Sequence, residues 1–369
     1  MGRGWFGFED VLGPEQILHL RHGKLGLEAI VVVDNTACGV AIGGIRMAPD
    51  VTLEECFRLA RAMTFKNAAA GLRHGGGKAV IRADPAMPAP EKERLVRGFA
   101  RAIRALEAYV PGPDMGTDET AMAWIRDEIG RAVGLPRELG GIPLDAIGAT
   151  GLGLAVACEV ACRHAGIPLE GARVAIQGFG AVGRHAARRL AERGARIVAV
   201  SDSKGTILEE SGLDVAALLA HKARGEPVTS FAGGRSADPA AIVGVPCEIW
   251  IPAARPDVIH EGNADDLRAR IVVSGANIPI TAGAEAILEA RGVLLVPDFI
   301  ANAGGVICAA VEYAGGDESE ALATIAEKIR ANTEAVLTRA RGEAIPTRRA
   351  AEALARERVE KAMAFRRFG

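Results

Sequence analysis

ARVAIQGFGAVGRHAARRLAERGARIVAVSD, running from Ala172 to Asp202, is the stretch that decides the fold. ARVAIQ is an apolar run of strand length, and ARIVAVSD is a second one. Between them Gly178, Gly180 and Gly183, with Phe179, Ala181 and Val182 in the gaps, open a helix of alternating Arg and Ala. Glycines in this order, after a strand and before a helix, permit a tight turn, let backbone approach a ligand, and seat the helix close to the strand. The helix start leaves free N–H groups that suit a pyrophosphate. Asp202 ends the second strand about twenty residues on, where a carboxylate accepts hydrogen bonds from a ribose. A glycine-rich turn without a nucleotide accounts for the glycines but not for the acid at this place. The unit therefore predicts a dinucleotide site. Asp202 would repel a 2′-phosphate, which favours NAD, while Ser203 and Lys204 beside it still admit NADP.

The chain around this unit continues the pattern. CEIWIPAA (Cys247 to Ala254), RIVVSGAN (Arg270 to Asn277) and VLLVPDF (Val293 to Phe299) read as further strands separated by helical stretches, as a doubly wound parallel sheet requires. Ligands in such sheets lie off the carboxyl ends of the strands. Asn277 and Asn302 fall there, although Asn302 serves equally well as the cap of the helix that ANAGG opens. Upstream, Thr150 precedes an apolar helix, GLGLAVACEVACRHAG, which reads as a connector between two domains.

A second stretch, MTFKNAAAGLRHGGGKAVI from Met63 to Ile81, carries two lysines in surroundings that suit lysine poorly. Thr52 and Glu55 form a capping box, and Cys56, Leu59, Ala60 and Met63 recur at helical spacing, a row that Lys66 continues. Lys78 follows three glycines and opens an apolar strand. A lysine among apolar groups or near a second cation has its proton affinity lowered towards neutral pH; the plainer reading has Lys66 snorkelling from a helix end and Lys78 on a loop. Asp114, in VPGPDMGTDE, sits behind two prolines and before Gly116, so its carboxylate is held in a defined place, as a turn or cap residue or as a working group. LEAIVVVDN (Leu27 to Asn35) and GVAIGGIRM (Gly39 to Met47) read as strands, the second interrupted at Gly43-Gly44 by a bulge or a close ligand. Residues 1–26 read as an entry helix or loop, with Pro14 at a helix start.

Totals set the limits. A chain of 369 residues exceeds what one core usually supports and predicts two domains. A net charge of −2 and 4% aromatic residues offer neither a field nor a stacking surface for nucleic acid, and no field for a membrane. The six cysteines show no paired framework, so a reducing compartment fits; no targeting signal and no apolar run of transmembrane length is read, and the expectation is a cytoplasmic protein. Cys158 and Cys162 stand one helical turn apart near His164, but they suit an Ala/Val-rich helix better than a metal.

With MTFKNAAAG, GGGKAVI, GPDMGT, the glycine fingerprint with Asp202, and FIANAGGV all in order, the chain resembles the Glu/Leu/Phe/Val dehydrogenases over nearly its whole length. The resemblance implies an α/β fold of two domains: an N-terminal substrate domain with a mostly parallel sheet, and a C-terminal NAD-binding Rossmann domain across a cleft. Residues 1–140 with 335–369 would form the first, and 141–334 the second. It implies reversible, metal-free oxidative deamination of an L-amino acid to a 2-oxo acid and ammonia, by a homo-oligomer. Lys66 looks like the lysine that grips the α-carboxylate, Lys78 like the catalytic lysine that assists water attack, and Asp114 like the carboxylate that shuttles protons. The substrate would also meet Ile42, Gly43, Gly44, Gly112, Asn302, Val306 and Ala309. The cofactor would meet Thr150, the run Gly178 to Gly183, Asp202, Ser203, Ala253, Asn277 and Asn302. Glutamate enzymes of the family carry a lysine where this chain has Ile42 and a serine where it has Ala309. A side-chain carboxylate left unpaired there would be costly, so an apolar amino acid of leucine, valine or phenylalanine type is expected. Small Gly112 and Ala309 would leave room for a bulky side chain. The second half of the chain looks more glutamate-like, and a glutamate dehydrogenase is the alternative within the family. Outside catalysis, the alternative is an NAD-binding sensor without turnover.

Overall fold

The computed structural model describes residue 7 and residues 9–366. The chain forms two compact units, the first built from residues up to Pro143, Val306–Ala321 and the residues from Glu352 on, the second from Leu144–Gly305 and Leu322–Ala351. The crossing points differ from a single exchange at residue 335. Glu312 accepts hydrogen bonds from the backbone N–H of Leu135 and Ile142, so the helix Gly304–Tyr313 is tied to the first unit. Arg348 pairs with Glu285 and Asp298, which keeps the start of the helix Thr347–Met363 with the second. Arg358, further along that helix, donates to the carbonyls of Ala68 and Ala69 in the first.

The sheet of the first unit contains β1 (Gln16–His22), β2 (Leu27–Asn35), β3 (Ala41–Ala48), β4 (Gly75–Arg82) and β5 (Tyr109–Pro113), in the order β1-β2-β4-β3-β5. It is mixed rather than mostly parallel. β1–β2 and β2–β4 are antiparallel, and β4–β3 and β3–β5 parallel. The Gly23–Leu25 turn is too short for the crossover that parallel neighbours need. β1 replaces the entry helix or loop expected from the sequence, and Pro14 precedes a strand. Its residues alternate, Leu18 and Leu20 packing on one core cluster and Ile17 on another, which is the period of a strand.

The two faces of this sheet do different things. Ala29, Val31, Ile45, Met47, Ala79 and Ile81 point into a core with Leu95, Phe99, Met122 and Ile125 from the helices Ala89–Ala102 and Glu119–Ile129. Each large side chain buried there contributes roughly 1.5–3 kcal/mol. On the other face the helix Leu53–Ala69 packs Cys56 and Ala60 on Val32 and Val80. Thr52 Oγ1 caps this helix by accepting from Glu55 N at 3.1 Å. Arg61 locks it to β2, donating to Asp34 Oδ2 at 2.8 Å, and Thr64 Oγ1 donates to the same oxygen at 2.6 Å. Burial pushes the Asp34 carboxyl up in spite of both partners.

The sheet of the second unit contains β6 (Arg173–Gln177), β7 (Arg196–Asp202), β8 (Gly205–Leu208), β9 (Arg235–Ala237), β10 (Ile249–Pro252), β11 (Ile271–Val273) and β12 (Leu294–Val296). The order is β12-β11-β10-β6-β7-β8-β9, parallel from β12 to β7 and antiparallel beyond. The expected strands are present, shorter than their apolar runs. The helix Ala149–Ala165 lies in the interior of this unit, with Leu154 to Cys158 all buried, and is not a connector. Leu144–Ala165 does reach the length and hydropathy of a membrane span, contrary to the expectation from sequence, but 72% of that window is buried within the fold.

Candidate active site

The first unit gathers its candidate residues on the helix-bearing face of the sheet, because side chains two apart on a strand share a face. On β3 these are Ile42, Gly44 and Arg46; on β4, Gly76, Lys78 and Val80; on β5, Val110 and Gly112. The register sets Ile42 beside Gly76 and Val110, and Gly44 beside Gly112. Lys78 is only 5% exposed. Its Nζ stands 2.8 Å from Asp114 Oδ2, and Arg46 Nε donates to the same oxygen at 3.0 Å. Lys78 is therefore a buried strand residue with a partner, not a loop lysine.

Glycines make this meeting possible. A Cβ on Gly44 would come within 2.8 Å of Asp114 Cβ and 3.2 Å of Lys78 Nζ, and one on Gly43 within 1.7 Å of the Gly77 carbonyl oxygen. The glycine pair is thus a close approach by the chain itself. The register is unbroken across it, Ile42 facing Gly76 and Ile45 facing Ala79, so no residue is inserted as a bulge would require. Tyr109, fully buried, donates its hydroxyl to the Gly43 carbonyl at 2.7 Å and fixes β3 from the opposite face. The Asp114 loop is pinned to β3 as well, since Thr117 Oγ1 donates to the Ile45 carbonyl at 2.7 Å and accepts from Asp114 N at 3.0 Å. Burial alone would raise the Asp114 carboxyl; the Lys78 ammonium and the Arg46 guanidinium outweigh it and hold the group below the ordinary aspartate range.

Ile42 packs in a small cluster with Val110 and Val133, against which Val40 and Ala309 also lie. Ile42 and Val110 belong to the sheet that bears the ion pair, and Val133 and Ala309 complete an apolar wall against them. A Cβ on Gly112 would meet Val133 Cγ2 at 3.2 Å. Val306 stands half-buried in the first turn of the helix that carries Ala309. Lys66 is half-buried in the last turn of the helix Leu53–Ala69.

The second unit holds a cavity of about 1240 Å³ lined by Gln177, Gly178, Phe179, Gly180, Asp202, Ser203 and Ala253 among others, whereas Thr150, Ala181, Val182, Gly183, Asn277 and Asn302 are not in its lining. Gly178 has φ +97°, where an L side chain is strained, and a Cβ there would press on Ala254. Ala181 and Val182 begin the helix Ala181–Ala191, whose N-cap is Gly180. Gly183 lies against β6: a Cβ would stand 1.9 Å from the Gly178 carbonyl oxygen. We predict that Gly183→Val pushes this helix off the strand and weakens binding of the reduced dinucleotide at least about tenfold, the cost of overpacking being ~1–3 kcal/mol. Fluorescence titration with NADH and NADPH checks this, and unchanged affinity would refute the placement of the site.

Asp202 is more committed than its sequence position suggests. It accepts from Lys222 Nζ, Lys204 N and Val228 N, each at 2.9 Å. Burial opposes its charge, but these donors hold the carboxyl below its ordinary value. A carboxylate has about four acceptor positions, so about one remains for a ribose. Lys222 also pairs the negative charge, which removes much of the repulsion towards a 2′-phosphate.

Asn302 is not an N-cap here. Its amide donates to Asn277 Oδ1 at 2.9 Å and to the Gly275 carbonyl at 3.3 Å, while its own Oδ1 is buried without a hydrogen-bond partner. Gln177 Oε1, at the end of β6, is likewise buried and unpaired. Gln177 lines the cavity beside the glycine turn, and Asn302 follows the short helix after β12. Two orphaned acceptors in this unit fit a ligand that brings N–H or O–H donors, such as a carboxamide and a ribose. Gly304 packs on the first turn of Ala149–Ala165, where a Cβ would lie 2.3 Å from the Ala149 carbonyl oxygen and 3.0 Å from Thr150 N, so Thr150 borders the same segment. Next to Asn277, Ile278 is held at φ +47°, a costly conformation for a β-branched residue. Its N–H donates to Asp298 Oδ2 at 2.9 Å, and Arg348 braces Asp298 at 3.1 Å.

Arg46, Lys222, Asp298 and Arg348 were not foreseen from the sequence. Each acts through a partner between 20 and 68 residues away, and no local pattern marks such a pair.

The model for "Glutamate/Leucine/Phenylalanine/Valine dehydrogenase" matches residues 140–367, and that for "Glu/Leu/Phe/Val dehydrogenase, dimerisation domain" matches residues 14–131. Glutamate dehydrogenase of Aeropyrum pernix is 40% identical over 323 residues, covering 82% of this chain and 77% of that protein. The NADP(+)-dependent glutamate dehydrogenase of Pyrobaculum calidifontis is 39% identical over 329 residues, covering 84% and 77%. Among solved structures, L-tryptophan dehydrogenase from Nostoc punctiforme superposes with a TM-score of 0.78 at 26% identity, covering 95% of this chain and 97% of its own.

Proposed function

The chain belongs to the Glu/Leu/Phe/Val dehydrogenase family of NAD(P)-dependent amino-acid oxidoreductases, and from that premise we propose that its substrate is an apolar L-amino acid of the leucine, valine or phenylalanine type. The reaction is L-amino acid plus NAD(P)⁺ plus water to 2-oxo acid, ammonium, NAD(P)H and a proton, run in either direction. The nicotinamide, when bound, supplies the hydride-accepting chemistry. The rest falls to side chains. Lys66 holds the substrate α-carboxylate. Asp114, ionised at neutral pH, takes a proton from the amine. Lys78, 2.8 Å from that carboxylate, orients and activates the water that attacks the imino carbon, and the pair passes protons between them. Asn302, with its unpaired acceptor, and Asn277 orient the carboxamide of the cofactor.

The observation that carries the apolar reading is the cluster in which Val133 and Ala309 pack against Ile42 and Val110 of the sheet that bears Lys78. The residues described in that cluster are apolar, and burying a side-chain carboxylate unpaired against them is unfavourable by several kcal/mol. A similar fold serves the tryptophan enzyme named above, so a bulky apolar side chain is compatible with this architecture. Glutamate is the second reading, supported by the names of the relatives near 40% identity. NAD and NADP both fit, because Lys222 neutralises Asp202. The family's dimerisation-domain model across the first unit supports a homo-oligomer.

The test is reduced-cofactor formation with leucine, valine, phenylalanine, tryptophan and glutamate, each with NAD and NADP. Turnover of apolar members at least ~10-fold above glutamate is expected, the scale on which apolar pockets discriminate. Preference for glutamate would overturn the pocket reading. Silence across the panel, with cofactor still bound, would favour the sensor.

A further inference from the structure

Asp114 Oδ2 carries two cations, Lys78 from β4 at 2.8 Å and Arg46 from β3 at 3.0 Å. A carboxylate oxygen has about two acceptor positions; Lys78 and Arg46 take both, and two cations on one oxygen ask for an explanation. Arg46 is itself held at both ends. While Nε reaches Asp114, Nη1 reaches Glu55 Oε1 at 2.6 Å. Glu55 stands in the first turn of the helix Leu53–Ala69, three residues after the Thr52 cap, and its carboxylate goes to Arg46. The same helix carries Lys66 in its last turn. Arg46 thus ties the Asp114 loop to the helix that bears the second lysine, and it does so with a rigid fork that a lysine cannot reproduce.

We propose that Arg46 is a positioning residue for this reaction: it orients the Asp114 carboxylate towards Lys78 and keeps it ionised as a proton acceptor, with Glu55 fixing the guanidinium. The proposal rests on Asp114 having the role assigned to it above, and not on which amino acid is the substrate. The groups facing Asp114 are Lys78 on β4 and Arg46 on β3 with Glu55 behind it on the helix; Tyr109 on β5 lies on the other face of the sheet, its hydroxyl committed to the Gly43 carbonyl. Lys78 and Arg46 are the cations that lower the carboxyl below its usual range. Removing one of them must raise it again, since an opposite charge at this distance lowers a carboxyl by roughly 1–3 pH units.

The experiment compares wild type, Arg46→Met, Arg46→Lys and Asp114→Asn, using the amino acid that wild type oxidises fastest and following kcat, KM and the pH profile of kcat/KM. Arg46→Met is expected to lower kcat roughly 10–100-fold, with KM little changed, as expected when proton transfer is misaligned. Its acidic limb should move up by about one pH unit. Arg46→Lys should return the limb to its wild-type position while kcat stays about tenfold low, because charge is restored and the fork is not. Should Arg46→Met fail to fold, Arg46→Lys decides alone, and wild-type kcat in it would refute the proposal. Loss of kcat in Arg46→Met without movement of the limb would reduce Arg46 to a structural tie and also overturn it. Asp114→Asn separates the two levels. Full turnover there would sink the role of Asp114 itself, whereas an inactive Asp114→Asn beside an unaffected Arg46→Met would sink only the role of Arg46.

Discussion

Lys78→Ala lowers kcat by roughly 10²–10⁴-fold, the range that a positioned acid–base group contributes, while leaving dinucleotide binding intact. The second half follows from the fold, since Lys78 lies on β4 of the first unit and the glycine turn in the second. The variant also loses stability, by about 1–3 kcal/mol, because a partly buried carboxylate keeps Arg46 and loses its nearest partner. Its pH dependence has a definite sign. The folded Asp114 carboxyl lies below its ordinary value, so its contribution to stability is present above that value and is lost as the pH falls through the lowered one. Taking Lys78 away moves this loss to higher pH. Steady-state kinetics, an NADH titration and thermal melts at several acidic pH values check the three parts. Near-normal turnover in a folded Lys78→Ala protein would remove the lysine from the chemistry.

Ile42→Lys transfers specificity from apolar amino acids to glutamate. Ile42 is 5% exposed and touches Val110 and Val133, with Ala309 against the same cluster. An ammonium there is poorly solvated until a carboxylate pairs with it, and a substrate side chain can bring one. Apolar substrates meet a charge where they met a methyl group, and we expect their kcat/KM to fall roughly 10–100-fold, the range set by lost contact in an apolar pocket. Glutamate should gain at least about tenfold, a modest return for a charge pair that also has to offset desolvation. The gain should grow when Ala309→Ser is added, since a hydroxyl in the adjacent position accepts or donates a further hydrogen bond. The ratio of kcat/KM for glutamate over the best apolar amino acid is the quantity to measure. An unchanged ratio in a folded variant would mean that this wall does not meet the side chain.

The dinucleotide turn was legible because its information is local. Gly178, Gly180 and Gly183 and the flanking strands lie within thirty-one consecutive residues, and two of the glycines have local reasons, Gly178 its positive φ and Gly183 its contact with the Gly178 carbonyl. The same holds for the cap at Thr52. The suspicion about Lys78 came from the apolar strand that follows it, and burial is the property such a pattern reports. β1 was misread for the opposite reason. Its alternation is short, and only pairing with Val31 to Val33 and their neighbours across the Gly23 turn makes it a strand.

Tertiary structure alone decided the rest. Asp114 meets Arg46 and Lys78 only because β5, β3 and β4 are neighbours in the sheet though not in the chain. Ile42 meets Ala309 only because a helix after residue 300 is carried back to the first unit by Glu312. Asp202 looked like a free acid at a strand end, and the fold gives it Lys222 and two backbone donors. A sequence states which groups a short segment can offer and what conformations it tolerates. Which charges neutralise one another depends on distances of about 3 Å between distant segments, where Coulomb and hydrogen-bond energies are decided.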